Sequence, residues 1–251
     1  MLRVEAFDAV RLRHDRAAVF LDFDGTLSEI VEHPGAARAV EGAVAALDAL
    51  SERFALVAIV TGRPGEQVRS LLDAPKVEVH GLYGMEGVPD PAAGSRIAAV
   101  MPQIETAAAA VPGAWVEHKG RSLAVHYRAA EDPEAAEAAL APALWAIGER
   151  HGLEVISGKR VIELAAGRPS KGGLVERLAR DRGAEAAVFA GDDLADLDAF
   201  AALDRLEQDG LHVVRIAVQG PETPEALVTR ADAVASGPIG LVGMLRELAG
   251  T

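Results

Sequence analysis

Two aspartates flank a phenylalanine at Asp22-Phe23-Asp24, and Gly25-Thr26 follow directly. The motif ends the apolar run Ala18-Val19-Phe20-Leu21, which reads as a buried parallel strand. In an open parallel sheet, ligands bind beyond the carboxyl ends of the strands, and these carboxylates fall there. A carboxylate so placed can attack phosphorus and form an acyl phosphate. A second carboxylate two residues on can protonate the leaving oxygen and then activate water. Gly25 lets the chain turn sharply, so that exposed amides can bind phosphate oxygens. The alternative is a strand-end aspartate that caps a turn.

Three further motifs bear on the same chemistry. Thr61-Gly62-Arg63 ends a second apolar run, and a hydroxyl there can hydrogen-bond a phosphate oxygen; an ordinary strand-to-helix turn is the alternative. Lys171, in Pro169-Ser170-Lys171-Gly172, opens a helix, where the helix dipole favours anions over cations. The position makes sense if the ammonium reaches an anion and neutralises a transferring phosphoryl group; a solvated surface lysine is the other possibility. Gly191-Asp192-Asp193, with Asp196 and Asp198 close behind, is an acidic cluster that repels itself unless a cation sits there. Magnesium suits such a site, because it takes hard oxygen ligands and is usually held by one or two carboxylates. Helix-terminal acids stabilised by the dipole are the bland explanation.

The elements that must position these groups follow from periodicity. Residues 18–21, 55–60, 77–79, 186–190, 213–218 and 231–235 read as strands. Residues 41–54, 65–72, 172–182, 194–203 and 239–249 read as helices between them. This alternation predicts an α/β fold with a doubly wound, Rossmann-like parallel sheet. Between residues 82 and 166 the rhythm changes. A helix over 95–111, strands over 115–119 and 122–128, a helix over 131–151 that Pro142 can kink, and strands over 153–157 and 160–164 describe an inserted α+β cap domain. The core is then 1–81 and 167–251.

Composition sets limits. At 251 residues, half of them hydrophobic, the chain can bury a core domain and a smaller insert. A formal net charge of -13 disfavours nucleic acid and anionic membranes as partners and requires any phosphate site to be locally positive. The absence of cysteine excludes disulfides and thiolate catalysis. Residues 1–20 lack the apolar core of a secretory signal, and no apolar run reaches the roughly 20 residues that span a bilayer. A cytoplasmic monomer is expected.

With motifs of these forms in this order, the sequence resembles the haloacid dehalogenase-like phosphohydrolases. The resemblance implies that Asp22 is the nucleophile, Asp24 the general acid/base, Thr61 a phosphate-binding hydroxyl and Lys171 the catalytic cation. It implies Mg2+ held by Asp22, Asp24 through its backbone carbonyl, Asp192, Asp193 and Asp196, and phosphate-side binding by Gly25, Thr26, Gly62 and Arg63. An insert between the second and third motifs, with two hairpins and two helices, resembles the sugar-phosphatase branch. Along nearly its whole length the chain is similar to the trehalose-6-phosphate phosphatases within that branch, whose cap carries Glu-x-Lys, His-Tyr-Arg and a later Glu after a Gly-Lys turn. Here these are Glu117-His118-Lys119, His126-Tyr127-Arg128, and Glu163 after Gly158-Lys159; Gly84-Met85-Glu86 matches a Gly-x-Glu after the third core strand. Glu86, Glu117, Lys119, Arg128 and Glu163 are therefore expected to bind the sugar. Glu117 and Lys119 are two apart, so both face one side of a strand. A cross-strand salt-bridge ladder would explain the same residues without a ligand.

The resemblance implies an Mg-dependent hydrolysis of trehalose 6-phosphate to trehalose and phosphate through an aspartyl phosphate. A related sugar or glycosyl-phosphoglycerate phosphatase, a phosphomutase, and a non-catalytic sugar-phosphate-binding regulator are the alternatives. Three departures from the family pattern stand out: Ala195 and Leu197 for Thr and Glu in the fourth motif, Ala165-Ala166 where a basic-Pro pair is common, and Tyr83 where many members have His.

Overall fold

Strands with no polar side chain at any position are buried on both faces, and runs of that kind at residues 17–21, 56–60 and 186–191 form three adjacent strands of the larger sheet. The computed structural model describes residues 4–31 and 33–251. Residues 1–3, which open the stretch expected not to be a secretory signal, and residue 32 lie outside the described residues. The strands are β1 Ala17–Leu21, β2 Leu56–Val60, β3 Glu78–His80, β4 Trp115–His118, β5 Ser122–His126, β6 Glu154–Gly158, β7 Val161–Ala165, β8 Ala186–Gly191, β9 His212–Gln219 and β10 Ala233–Ser236. The α-helices are α1 Val4–Arg11, α2 Ala43–Ser51, α3 Gly65–Leu71, α4 Ala93–Ala109, α5 Pro133–His151, α6 Lys171–Asp181, α7 Asp196–Gln208, α8 Glu225–Arg230 and α9 Gly237–Ala249. The chain divides into two units, Met1–Glu86 with Ser170–Thr251, and Gly87–Pro169.

The first unit is a six-stranded parallel sheet in the order β10-β9-β8-β1-β2-β3. Successive side chains point to opposite faces. Val19, Leu21, Ile59, Val188 and Ile216 pack with Phe7 and Val10 of α1, Leu47 and Leu50 of α2, and Leu241 and Leu245 of α9. Phe20, Ala58, Val60 and Phe189 pack with Leu174 and Leu178 of α6, Phe200 and Leu203 of α7, and Leu227 of α8. Each fully buried Leu, Val or Phe stabilises the layers by about 1.5–3 kcal/mol relative to exposure, so both faces of the sheet are held. The parallel α/β sheet expected from the alternation is present. Two helices were not expected. α1 is eight residues and α8 is six; both are too short to show a sustained period, and Phe7 and Val10 supply a single i,i+3 pair.

In the second unit four antiparallel strands run in the order β4-β5-β7-β6. Leu123, Val125, Ile162 and Leu164 face α4 and α5, meeting Ile97, Val100, Ile104, Leu140 and Leu144. The Asp132 side chain accepts from the amides of Glu134 and Ala135 and so caps α5, with Pro133 in the first turn. The helix continues through Pro142 to His151 as one element. The register sets Glu117 opposite Ala124, Ala124 opposite Glu163, and Glu163 opposite Ile156, all on the sheet face away from the helices.

Candidate active site

Because β1 and β8 are parallel neighbours, their ends release Asp22 and Asp192 side by side. The Asp22 amide donates to the Ala190 carbonyl at 2.9 Å, carrying the ladder one step past β1. Two glycines permit the close approach of the acidic loop. Gly25 has φ +77°, and a Cβ there would lie 2.0 Å from Asp192 Oδ2. At Gly191 a Cβ would lie 2.3 Å from Asp196 Cγ. Asp196 therefore folds back, and its Oδ2 accepts from the amides of Asp192 and Asp193 at 2.8 and 2.9 Å. Thr26 is buried and donates to Asp192 Oδ1 at 3.2 Å.

Lys171 enters from the first turn of α6. Ser170 caps that helix, accepting from the Gly173 amide at 2.8 Å. Asp198 of α7 holds the same turn, since its Oδ2 accepts from Ser170 Oγ at 2.8 Å and from the Gly172 amide at 2.9 Å. The Lys171 ammonium lies 3.0 Å from Asp22 Oδ1 and donates to Asp196 Oδ1 at 2.7 Å. All four charged residues of the cluster, Asp22, Lys171, Asp192 and Asp196, are at most 6% exposed.

Burial pushes the Asp22 carboxyl well above the ordinary carboxylate range; Lys171 opposes this, while Asp196, Asp192 and Asp24 add to it. Burial works against the Lys171 ammonium too, yet Asp196 and Asp22 overcome it and hold its pKa well above the usual lysine value. The Lys171 shift expresses an imbalance, buried carboxylates outnumbering the one ammonium among them; the Asp22 shift comes first from burial, with its carboxylate neighbours adding to it. Oxygens of Asp22, Asp192 and Asp196 lie within 4.8 Å of one another. Hard carboxylate donors, in excess of the cation present, fit a divalent ion of the magnesium kind. Both Asp196 oxygens already accept hydrogen bonds, which suits an orienting role. Asp193 is half-buried and its Oδ1 accepts from the Leu194 amide at 2.6 Å.

Asp24 and Arg63 form a fork the sequence did not reveal. Arg63 Nε and Nη2 each donate to a different Asp24 oxygen at 2.6 Å, and Nη1 donates to the Pro34 carbonyl at 2.7 Å. The guanidinium also lies 5.6 Å from the Phe23 ring centroid. Thr61, buried at the end of β2, accepts from the Arg63 amide at 3.1 Å, so its own proton remains to be donated. Gly62 has no room for a side chain, because a Cβ would lie 2.4 Å from the Tyr83 ring. Glu86 accepts from the Gly65 amide at 2.7 Å and so caps α3.

In the second unit, Lys119 donates to Glu163 Oε2 at 2.9 Å, and Ser122 Oγ donates to the other Glu163 oxygen. Glu117 pairs with His126 at 2.9 Å, and His126 stacks on Trp115 with centroids 4.3 Å apart. The cross-strand pairs of the ladder alternative are thus present. Arg128 donates to the Lys159 carbonyl at 3.0 Å, bracing the β6–β7 turn.

The trehalose-phosphatase family model matches residues 20–233. The chain belongs to that family. A trehalose-phosphate phosphatase of Mycobacterium marinum is 40% identical over 207 residues, covering 75% of this chain and 52% of that protein. The chain thus spans about half the length of the curated relatives it matches. The C-terminal domain of Candida albicans trehalose-6-phosphate phosphatase superposes with a TM-score of 0.83 at 23% identity, covering 100% of this chain and 97% of that one. The C-terminal domain of the Candida albicans trehalose synthase regulatory protein does so with a TM-score of 0.67 at 14% identity, covering 93% of each chain. Fold alone therefore does not separate a phosphatase from a regulator, and the side chains must.

Asp198 capping the helix of Lys171, Ser122 beside Glu163, and Trp115 on His126 were not expected. Asp198 was visible as the last acid of its cluster. The other two required the strand register.

Proposed function

We propose that this member of the trehalose-phosphatase family is an Mg2+-dependent phosphatase that hydrolyses trehalose 6-phosphate to trehalose and phosphate. The observation that carries it is the buried cluster of Asp22, Lys171, Asp192 and Asp196 at the ends of β1 and β8. A regulator has no need for a buried nucleophile whose charge is this costly to keep. Residues 1–86 and 170–251 serve as the catalytic core, and 87–169 as the cap that reads the sugar.

An oxygen of Asp22 forms the bond to phosphorus as the bond to the sugar oxygen breaks, and Asp24, which must first leave its fork with Arg63 and take up a proton, gives that oxygen its proton. Water then forms a new bond to phosphorus, the Asp22 oxygen leaves, and Asp24 takes the proton back. Lys171 neutralises the phosphoryl oxygens, and the Thr61 hydroxyl, the Gly62 amide and the turn at Gly25 and Thr26 orient them. Arg63, with its three guanidinium nitrogens engaged, supports the Asp24 carboxylate. Asp22, Asp192, Asp193, Asp196 and the Asp24 backbone carbonyl would hold Mg2+ directly or through water, and the ion would supply charge stabilisation to the transferring group. On the cap, Glu117, Lys119, Arg128 and Glu163 would exchange some of their mutual contacts for sugar hydroxyls.

Phosphate release from a panel of sugar phosphates, with magnesium and with chelator, tests the reading. Trehalose 6-phosphate should be the preferred substrate and chelation should abolish turnover. Full activity after exhaustive chelation, or preference for a monosaccharide phosphate, refutes the corresponding part.

A further inference from the structure

The chain leaves β3 through two consecutive residues in the left-handed region, Leu82 at φ +51° and Tyr83 at φ +53°, and then Gly84 at φ +86°. Glycine adopts that region readily; leucine and tyrosine do so under strain, and strain of this kind is retained where surrounding structure over-determines it. The hydrogen bonds show what determines it here. The Leu82 amide donates to the Arg63 carbonyl at 2.9 Å and the Tyr83 amide to the Thr61 carbonyl at 2.8 Å. The Tyr83 carbonyl accepts from the Ser170 amide at 3.2 Å, immediately before Lys171. One short segment thus ties the Thr61–Arg63 loop to the start of α6. The Tyr83 ring spans the same gap. It occupies the space that a Gly62 side chain would need and lies 5.8 Å, centroid to Nζ, from the Lys171 ammonium. That is within the range of a cation–π contact, in a place where the cation is almost wholly buried.

We propose that Tyr83 is a positioning residue for the phosphoryl site, its backbone holding the Thr61 loop against the helix of Lys171 and its ring fixing where the Lys171 ammonium stands. The inference rests on the phosphatase reading for its kinetic consequence, but not for its structural one. It is tested with Tyr83→Gly and Tyr83→Asn, which keep a left-handed backbone without the ring, and Tyr83→Phe, which keeps the ring without the hydroxyl. Inorganic phosphate, titrated calorimetrically with magnesium present, supplies a readout independent of turnover. A desolvated cation–π contact of this kind sets the scale, so Tyr83→Gly and Tyr83→Asn should lose about 10- to 30-fold in both phosphate affinity and kcat. KM for the sugar phosphate should rise by no more than the loss in phosphate affinity, because its phosphoryl group shares that site while the sugar contacts are untouched. Tyr83→Phe should stay within about 3-fold of wild type throughout. Melting temperatures of the glycine variant should stay close to wild type, relief of strain offsetting lost ring packing. Retained kcat and phosphate affinity in Tyr83→Gly overturns the proposal, as does an equal loss in Tyr83→Phe, which would assign the effect to the hydroxyl. Failure of both ringless variants to fold makes the residue structural and also overturns it. If wild type hydrolyses no sugar phosphate yet binds inorganic phosphate, the functional reading fails and the affinity series still decides Tyr83; if it binds none, both fall.

Discussion

Replacing Lys171 by methionine removes one ammonium from among three buried carboxylates while roughly keeping the volume of its stem. In the native site that ammonium is 3.0 Å from Asp22 and 2.7 Å from Asp196, with the lysine 4% exposed. Removing one partner of a buried ion pair destabilises by about 3–5 kcal/mol. One lysine serves two acids here, so the upper end applies. At about 2–4 °C per kcal/mol for a chain of this size, the expected fall in Tm is about 10–20 °C at pH 8 without divalent cation. The pH dependence follows from Asp22. Burial first, then Asp196, Asp192 and Asp24, hold its carboxyl above the ordinary range. Just above the ordinary carboxylate pKa, the folded chain then binds more protons than the unfolded one, and stability falls as pH rises through that window. Loss of the lysine, which opposes the shift, carries the window upward. The deficit of Lys171→Met should therefore shrink toward pH 5, where protonation removes the uncompensated charge. Magnesium should recover part of it at pH 8. Calorimetric melts at both pH values, with and without magnesium, measure this. A deficit of equal size at pH 5 and pH 8 would mean that packing, and not charge, is lost, and the electrostatic account would be wrong.

Asp22→Asn should lower kcat by more than about 10⁴-fold while raising the metal-free Tm, because it removes a buried carboxylate; unchanged turnover in steady-state assays would require direct attack by water. Gly25→Ala should weaken magnesium binding by about tenfold or more and destabilise by over 1 kcal/mol, since its Cβ would sit 2.0 Å from Asp192 Oδ2 at φ +77°; calorimetric titration checks the first and melting the second. Wild type should prefer trehalose 6-phosphate over glucose 6-phosphate by at least about a hundredfold in kcat/KM. Glu163→Ala should erase most of that preference and leave an aryl phosphate largely unaffected, and equal loss on both substrates would make Glu163 a structural residue of the cap.

Local signals made much of this architecture legible. β1 is apolar at all five positions and Asp22 follows it directly, so its burial and the placement of the acid at the strand end follow from one short stretch. The acidic loop after β8 is legible for the same reason. What stayed hidden depends on separation along the chain. Arg63 and Asp24 are 39 residues apart, and nothing in either neighbourhood encodes a bidentate fork. Glu117 and Lys119, expected to share a face and a role, instead take different partners, His126 and Glu163, because a hairpin's register decides which charge lies opposite which. The left-handed pair at Leu82 and Tyr83 defied composition, since neither residue is a turn former; tertiary hydrogen bonds overrode local preference there.

The charge of the site links metal and substrate in a way the whole-chain charge of -13 sharpens. With Asp22, Asp192 and Asp196 ionised and Lys171 the cation among them, the cluster carries two more negative charges than positive, and Arg63 is already matched to Asp24. A dianionic phosphate brought to that place meets net repulsion inside a buried, weakly screened setting. A divalent ion cancels the excess, so magnesium should bind before the phosphate and the two should bind with positive coupling. By reciprocity the coupling measured from either side must be equal. Inorganic phosphate titrated into the wild type should show at least about tenfold tighter binding with saturating magnesium than with chelator. In Asp22→Asn, where one carboxylate is neutral, the coupling should be smaller even though the variant does not turn over. Coupling that is absent in wild type, or that grows in Asp22→Asn, would show that phosphate is held by neutral donors such as Thr61 and the loop amides, and that the acidic cluster does not govern its binding.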